Sequence, residues 1–251
     1  IKRLFPTLAV FVAISSLTIC YFDPKPSISL FTGISSLLGL SNIFLFQEST
    51  NYFAPTTTLN PFTHTWSLGV EWQFYLIFPF FVWFSKSINS KNTKDNLLIT
   101  VITLSFGSLL LFLNFYYRNQ SMTYFLMPFR FWEIGIGSIS YILQSERFFE
   151  FEKIQRLLPA SLLFISIIII MLFPIFYAPL SNILIAGIAS LLISYVKIKG
   201  SLHKLLTNKI AVQIGLISYP LYIWHWYVIS LSEWTIGINF WTIPFQIFLI
   251  F

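Results

Sequence analysis

Apolar residues in this chain come in long blocks. Runs of 16 to 22 residues recur at about 4–22, 31–46, 66–85, 97–117, 124–143, 157–173, 181–196 and 210–231, and another starts near Trp241. Short polar stretches separate them. A helix rises 1.5 Å per residue, so about 20 apolar residues match the roughly 30 Å of hydrocarbon in a bilayer. The pattern predicts an all-α fold, a polytopic transmembrane helix bundle. Composition agrees: 56% of the 251 residues are hydrophobic and 10% charged, where a soluble domain carries roughly 25% charge. The 29 Phe, 8 Trp and 12 Tyr suit bundle interiors and headgroup belts. A single cysteine, Cys20, excludes a disulfide framework, and three scattered histidines predict no metal site.

The net charge of +6 sets orientation rather than pointing to nucleic acid. Twelve of the 15 basic residues are Lys2 and Arg3 together with those in the loops after the runs ending near 85, 143 and 196. The positive-inside rule makes those loops cytoplasmic. Segment 47–65 has no Lys or Arg and belongs outside, although two runs separate it from Lys2 and Arg3. Parity is restored if the run near 31–46, which contains Gly33, Gly39, Asn42 and several serines, is re-entrant or interfacial. The expectation is therefore about seven complete spans, one re-entrant segment and a truncated final span, forming a single membrane domain over 1–251.

Ionisable residues inside apolar runs cost about 2.5–3.5 kcal/mol or more at mid-span unless paired or wetted, so the few present are the candidates for chemistry. Glu71 lies about one turn inside the outer end of its span and shares a helical face with Ser67 and Tyr75, each four residues apart. That stripe is either the wall of a wet functional cavity or an interhelical hydrogen-bond network. Arg130 and Glu133 are three apart, close enough to pair as an internal brace; a buried guanidinium fork also suits a substrate or acyl-carrier contact. His225, one turn after Tyr222 and between two tryptophans, is either a packed residue or a general base near a reacting hydroxyl. His64 and His203 read as loop residues.

The stretch Leu59-Asn60-Pro61-Phe62-Thr63-His64-Thr65-Trp66-Ser67-Leu68-Gly69-Val70-Glu71-Trp72-Gln73-Phe74-Tyr75-Leu76 resembles the signature of the bacterial membrane acyltransferase-3 family, of the O-antigen acetylase type. Three further stretches resemble the family in the same order: Lys2-Arg3-Leu4-Phe5-Pro6, Phe129-Arg130-Phe131-Trp132-Glu133, and Ile217-Ser218-Tyr219-Pro220-Leu221-Tyr222-Ile223-Trp224-His225-Trp226. The resemblance implies transfer of an acyl group, usually acetyl from cytoplasmic acetyl-CoA, to a hydroxyl of a cell-envelope carbohydrate, in the bacterial inner membrane. It implies acyl-CoA handling at Arg3, with Lys2 beside it, and site roles for Ser67, Glu71, Tyr75, Arg130 and Glu133. It also implies that the family's first two helices, with the histidine usually considered the catalytic base, precede Ile1, and that the final helix continues past Phe251. In place of the family's frequent second acidic residue stands Trp72, so Glu71 acts without a carboxylate partner. A transporter or glycolipid flippase, or a non-catalytic acyl-sugar sensor, are the rival readings; no internal repeat of the transporter kind is visible.

Overall fold

The computed structural model describes residues 4–49, 59–88, 92–145, 159–174, 177–196, 201–239 and 241–250. Among these residues the regular structure is helical, with no strand. Helix α1 (Phe5–Phe22) opens with Pro6, tolerated in a first turn because the missing N–H has no partner there anyway. Its buried positions, Leu8, Phe11, Val12, Ser15 and Ile19, fall three or four apart on one face. Its other face is just as apolar, with Val10, Leu17 and Tyr21 exposed. Helix α5 (Thr93–Phe115) repeats the arrangement: Val101, Ser105, Ser108 and Phe112 point inward, Ile99 and Phe106 outward. Small hydroxyl residues inside and large apolar ones outside is the distribution expected when hydrocarbon is the solvent.

Hydroxyls within helices are satisfied locally. Thr32 donates to the Ile28 carbonyl at 2.7 Å, Ser85 to Phe81 at 2.7 Å and Ser232 to Val228 at 2.7 Å. Such i−4 bonds remove donors that have no water to meet in a bilayer. Among the described residues three helical stretches, Phe5–Phe22, Thr63–Ile88 and Thr93–Phe115, are long and apolar enough to cross a membrane. With the shorter apolar helices beside them, they make this a helical membrane protein.

Two apolar runs are divided. The run near 31–46 becomes α2 (Ser27–Leu37) and α3 (Ser41–Ser49), broken at Gly39, whose φ of +71° favours glycine. A Cβ there would lie 2.9 Å from the Trp72 ring. At 11 and 9 residues neither piece spans the hydrocarbon. Ser36 and Ser41 tie the pair to Thr65 through bonds of 2.6 and 2.8 Å, and Asn42 donates to the Phe125 carbonyl at 3.1 Å. The run near 124–143 becomes α6 (Gln120–Phe125) and α7 (Met127–Ser145), with Pro128 in the first turn of the second. Helix α4 (Trp66–Ile88) continues through Pro79.

The run near 157–173 is shorter than the sequence pattern predicts: α8 (Ala160–Met171) starts after an extended Pro159 and has 12 residues, about 18 Å. Helices α9 (Ala178–Val196), α10 (Ser201–Leu206), α11 (Lys209–Thr235, unbroken through Pro220) and α12 (Ile243–Ile250) complete the order.

The chain forms two compact units. One comprises residues 1–75, 124–126 and 213–251, the other 76–123 and 127–212. The first has an apolar core of Leu8, Phe11, Val12, Phe62, Leu68 and Ile223. In the second, α7 packs against both α5 and α9. Trp132 is fully buried beside Phe112, and its backbone N–H donates to Ser108 Oγ at 3.1 Å. Gly135 permits the close approach of α5, since a Cβ there would collide with the Ser105 hydroxyl.

Candidate active site

In the first unit the start of α4 meets the middle of α11. A 3-10 turn (Thr63–Thr65) feeds directly into α4, so His64 sits just before the face that carries Ser67, Glu71 and Tyr75. From α11 come Tyr219, Tyr222 and His225, also spaced by three. The Tyr222 hydroxyl donates to the His64 carbonyl at 2.7 Å and lies 2.6 Å from Ser67 Oγ. Because the phenol proton goes to the carbonyl, the serine hydroxyl is the donor of the second bond. Tyr219 donates to the Leu4 carbonyl at 3.1 Å, and Trp226 to the Asn60 carbonyl at 3.1 Å, so α11 is tied to the segments that flank the cluster.

Glu71 is exposed and makes no protein hydrogen bond among the described residues. Three phenols, Tyr75, Tyr219 and Tyr222, stand within its electrostatic reach. A carboxylate ringed by phenols but bonded to none is available to a ligand.

His225 Nδ1 lies 2.5 Å from the Tyr222 carbonyl. A carbonyl only accepts, so Nδ1 carries the proton and a neutral His225 presents Nε2 as a base or acceptor. His64, expected in a loop, is instead 7% exposed, with its ring 5.6 Å from that of His225 and 5.4 Å from that of Tyr222. Among the described residues neither of its ring nitrogens makes a hydrogen bond, and the Ile223 backbone lies nearby.

The second unit holds the other intramembrane pair. Arg130 donates to Glu133 Oε1 at 2.7 Å, with the side chains 14% and 29% exposed. The pair opens on a cavity of about 370 Å³ between α7 and α9. Lys2 and Arg3 lie outside the described residues.

Of the residues singled out from the sequence, Ser67, Glu71, Tyr75 and His225 fall in one unit, and Arg130 and Glu133 in the other. His64 and Tyr219 were missed. The regular spacing of Tyr219, Tyr222 and His225 along α11 was the available signal for the tyrosine. For His64 there was none beyond its place in the motif.

A family model described as "Acyltransferase domain", that of the acyltransferase-3 family, matches residues 1–251. The chain belongs to the acyltransferase-3 family. It is 26% identical over 242 residues to "O-acetyltransferase OatA" of Staphylococcus aureus strain NCTC 8325 / PS 47, covering 91% of this chain and 40% of that protein. It is also 26% identical over 245 residues to a Bacillus subtilis strain 168 protein named "Putative peptidoglycan O-acetyltransferase YrhL", covering 92% and 38% respectively. The chain thus spans about two fifths of the length of these curated relatives. No solved structure matches it.

Proposed function

We propose that this acyltransferase-3 chain is part of a membrane O-acyltransferase that moves an acyl group, acetyl in the first instance, from cytoplasmic acyl-CoA to a hydroxyl of a cell-envelope carbohydrate. The observation that carries the reading is the cluster at the junction of α4 and α11: a carboxylate with no hydrogen bond among the described residues, an imidazole whose Nε2 is available, and several hydroxyls. O-acyl transfer needs these groups. A base takes the proton of the acceptor hydroxyl as its oxygen attacks the acyl carbonyl; donors hold the tetrahedral oxyanion; the C–S bond then breaks and the thiolate leaves with a proton.

In this reading Glu71 is the acceptor-side base or positioning carboxylate, with Tyr75 as a hydroxyl donor and Ser67, whose proton goes to Tyr222, as a positioning hydroxyl. His225 is the alternative base. Arg130 and Glu133 line or brace the cavity between α7 and α9, and Arg3 with Lys2 meets the CoA phosphates at the cytoplasmic edge. Residues 31–46 form a re-entrant pair, which leaves segment 47–65 outside while the basic loops stay inside. The bacterial inner membrane, crossed several times, is the site of action.

The test is transfer of radiolabelled acetyl from acetyl-CoA to envelope glycans in membranes holding the full-length protein. Glu71→Gln is expected to lower transfer by about 10²-fold or more at unchanged membrane level, and Arg3→Ala to weaken dependence on acetyl-CoA. Absence of transfer by well-expressed wild type, across several glycan pools and acyl donors, would favour transport or sensing instead.

A further inference from the structure

A larger cavity, of about 630 Å³, opens between α4, α5 and α7 within the second unit. Its long wall is one face of α5, where Thr103, Gly107, Leu110 and Asn114 recur three or four residues apart. Gly107 makes the hollow, since a Cβ there would meet nothing of the neighbouring helices within 4 Å. Phe81 of α4 and Phe131 of α7 join the flanking helices, edge to face with centroids 5.9 Å apart. The polar side chains of the wall are already engaged. Thr103 donates to the Ile99 carbonyl at 2.8 Å, Ser108 Oγ accepts the Trp132 backbone N–H at 3.1 Å, and Asn114 donates to the Leu110 carbonyl at 2.8 Å. An occupant therefore meets an apolar surface and needs no hydrogen bonds of its own along it.

Helical geometry gives the groove its length. At 1.5 Å per residue, Thr103 and Asn114 are about 16 Å apart along α5, and half of the roughly 30 Å hydrocarbon core is about 15 Å. That is the reach of a lipid chain in one leaflet, and too short for a partner helix that crosses the bilayer. Charge selects the leaflet. Lys94, at the start of α5, lies in a loop that the positive-inside rule makes cytoplasmic, so Asn114 is at the outer end. Just beyond it come Tyr116 and Tyr117, at headgroup level, and then Arg118, one helical turn past Asn114. Arg118 is exposed, and its guanidinium has no partner among the described residues. No Asp or Glu occurs between Asp95 and Glu133. A cation on the side where basic residues are sparse, at the mouth of a hydrocarbon groove, complements a phosphate through its planar fork. The ammonium of a zwitterionic headgroup would find no carboxylate in this segment, whereas an anionic headgroup needs none.

We propose that this groove is a binding site for an anionic phospholipid of the outer leaflet, with one acyl chain lying along Gly107 and the phosphate at Arg118. The site stands whether or not the acyl-transfer reading holds. The experiment places the full-length protein in phosphatidylcholine nanodiscs with phosphatidylglycerol carrying a photoreactive diazirine midway along one acyl chain, and maps the adducts by mass spectrometry. Adducts are expected to concentrate on the groove faces of α5 and α7, above those on the exposed face of α1 at Val10 and Leu17, which reports ordinary boundary lipid. Unlabelled phosphatidylglycerol is expected to displace the probe about fivefold more effectively than phosphatidylethanolamine. Gly107→Phe fills the hollow and is expected to lower the groove adducts by about tenfold while leaving those on α1 unchanged, which also shows that the variant is folded. Arg118→Gln is expected to keep the groove adducts and make the two competitors equal.

Adducts spread evenly over α1 and α5, or undiminished by Gly107→Phe, overturn the proposal and leave the groove to boundary lipid. Equal displacement by the two competitors in the wild type overturns it as well, because the headgroup is then not recognised. Stronger displacement by a polyprenyl phosphate than by phosphatidylglycerol also overturns it, and assigns the groove to a lipid carrier.

Discussion

The two polar sites of this protein are built in opposite ways. The α7 site is local: Arg130 and Glu133 are one helical turn apart and satisfy each other along a single helix. The α4/α11 site is non-local: Ser67 and Tyr222 are 155 residues apart, and Tyr222 reaches the His64 carbonyl from 158 residues away. A local pair forms wherever its helix forms and answers the desolvation problem by itself. A non-local cluster needs the core of Phe11, Phe62 and Ile223 to bring its elements together, and it leaves Glu71 without a hydrogen-bond partner among the described residues. The difference separates a carboxylate that is already satisfied from one held ready.

The strongest way to break this comparison is to neutralise each carboxylate in turn. Glu71→Gln is expected to lower transfer by about 10²-fold or more while moving the thermal transition in detergent little, because no hydrogen bond to a described residue is lost. Glu133→Gln is expected to destabilise by about 2–3 kcal/mol, below the 3–5 kcal/mol of a fully buried broken pair because both side chains are partly exposed. The double substitution Arg130→Met with Glu133→Leu is expected to restore part of that loss, measured by thermal unfolding. Equal stability effects at Glu71 and Glu133 would erase the distinction.

A second, smaller test compares helix contacts in the two units. Gly69→Ala places a Cβ 2.7 Å from Asn42 Oδ1, and Gly135→Ala drives one into the Ser105 hydroxyl. Each is expected to cost about 1–3 kcal/mol by overpacking. Ser105→Gly is expected to relieve the second in a double-mutant cycle, because Ser105 Oγ has no hydrogen-bond partner to lose.

The smallest effect sharpens the non-local side. Tyr222→Phe removes the bond to the His64 carbonyl and the acceptor of the Ser67 proton, an expected loss of about 1–2 kcal/mol in stability. Ser67→Ala removes only its own donor and is expected to cost less than Tyr222→Phe in the same assay.

Much of the fold was legible from local pattern. The blocks of apolar residues predicted α1, α4 and α5, and the serines, Gly39 and Asn42 marked 31–46 as a run that does not behave as a simple span. The break itself, however, is set where the Trp72 ring lies against Gly39, a contact between residues far apart in the chain. The α8 region read as a complete span because Pro159, extended just before the helix begins, leaves the hydropathy of the run unchanged. At the site, Ser67, Glu71 and Tyr75 were legible as one stripe because helical spacing is local. His64 was not, since a histidine among Thr and Pro looks solvated until Phe11, Tyr222 and His225 enclose it.

What the sequence alone determined was everything that depends on neighbours within a turn or on averages over a span: the helical membrane class, the ion pair of α7 and the faces of α4 and α11. Family membership was already implied by its short contiguous motifs. What tertiary structure decided was which faces meet, and with it the burial of His64, the exposure of the Glu71 carboxylate among its phenols and the cavity beside Asn182. Helical periodicity fixes the direction of a side chain relative to its own axis, whereas its partners depend on packing between helices that no local spacing encodes.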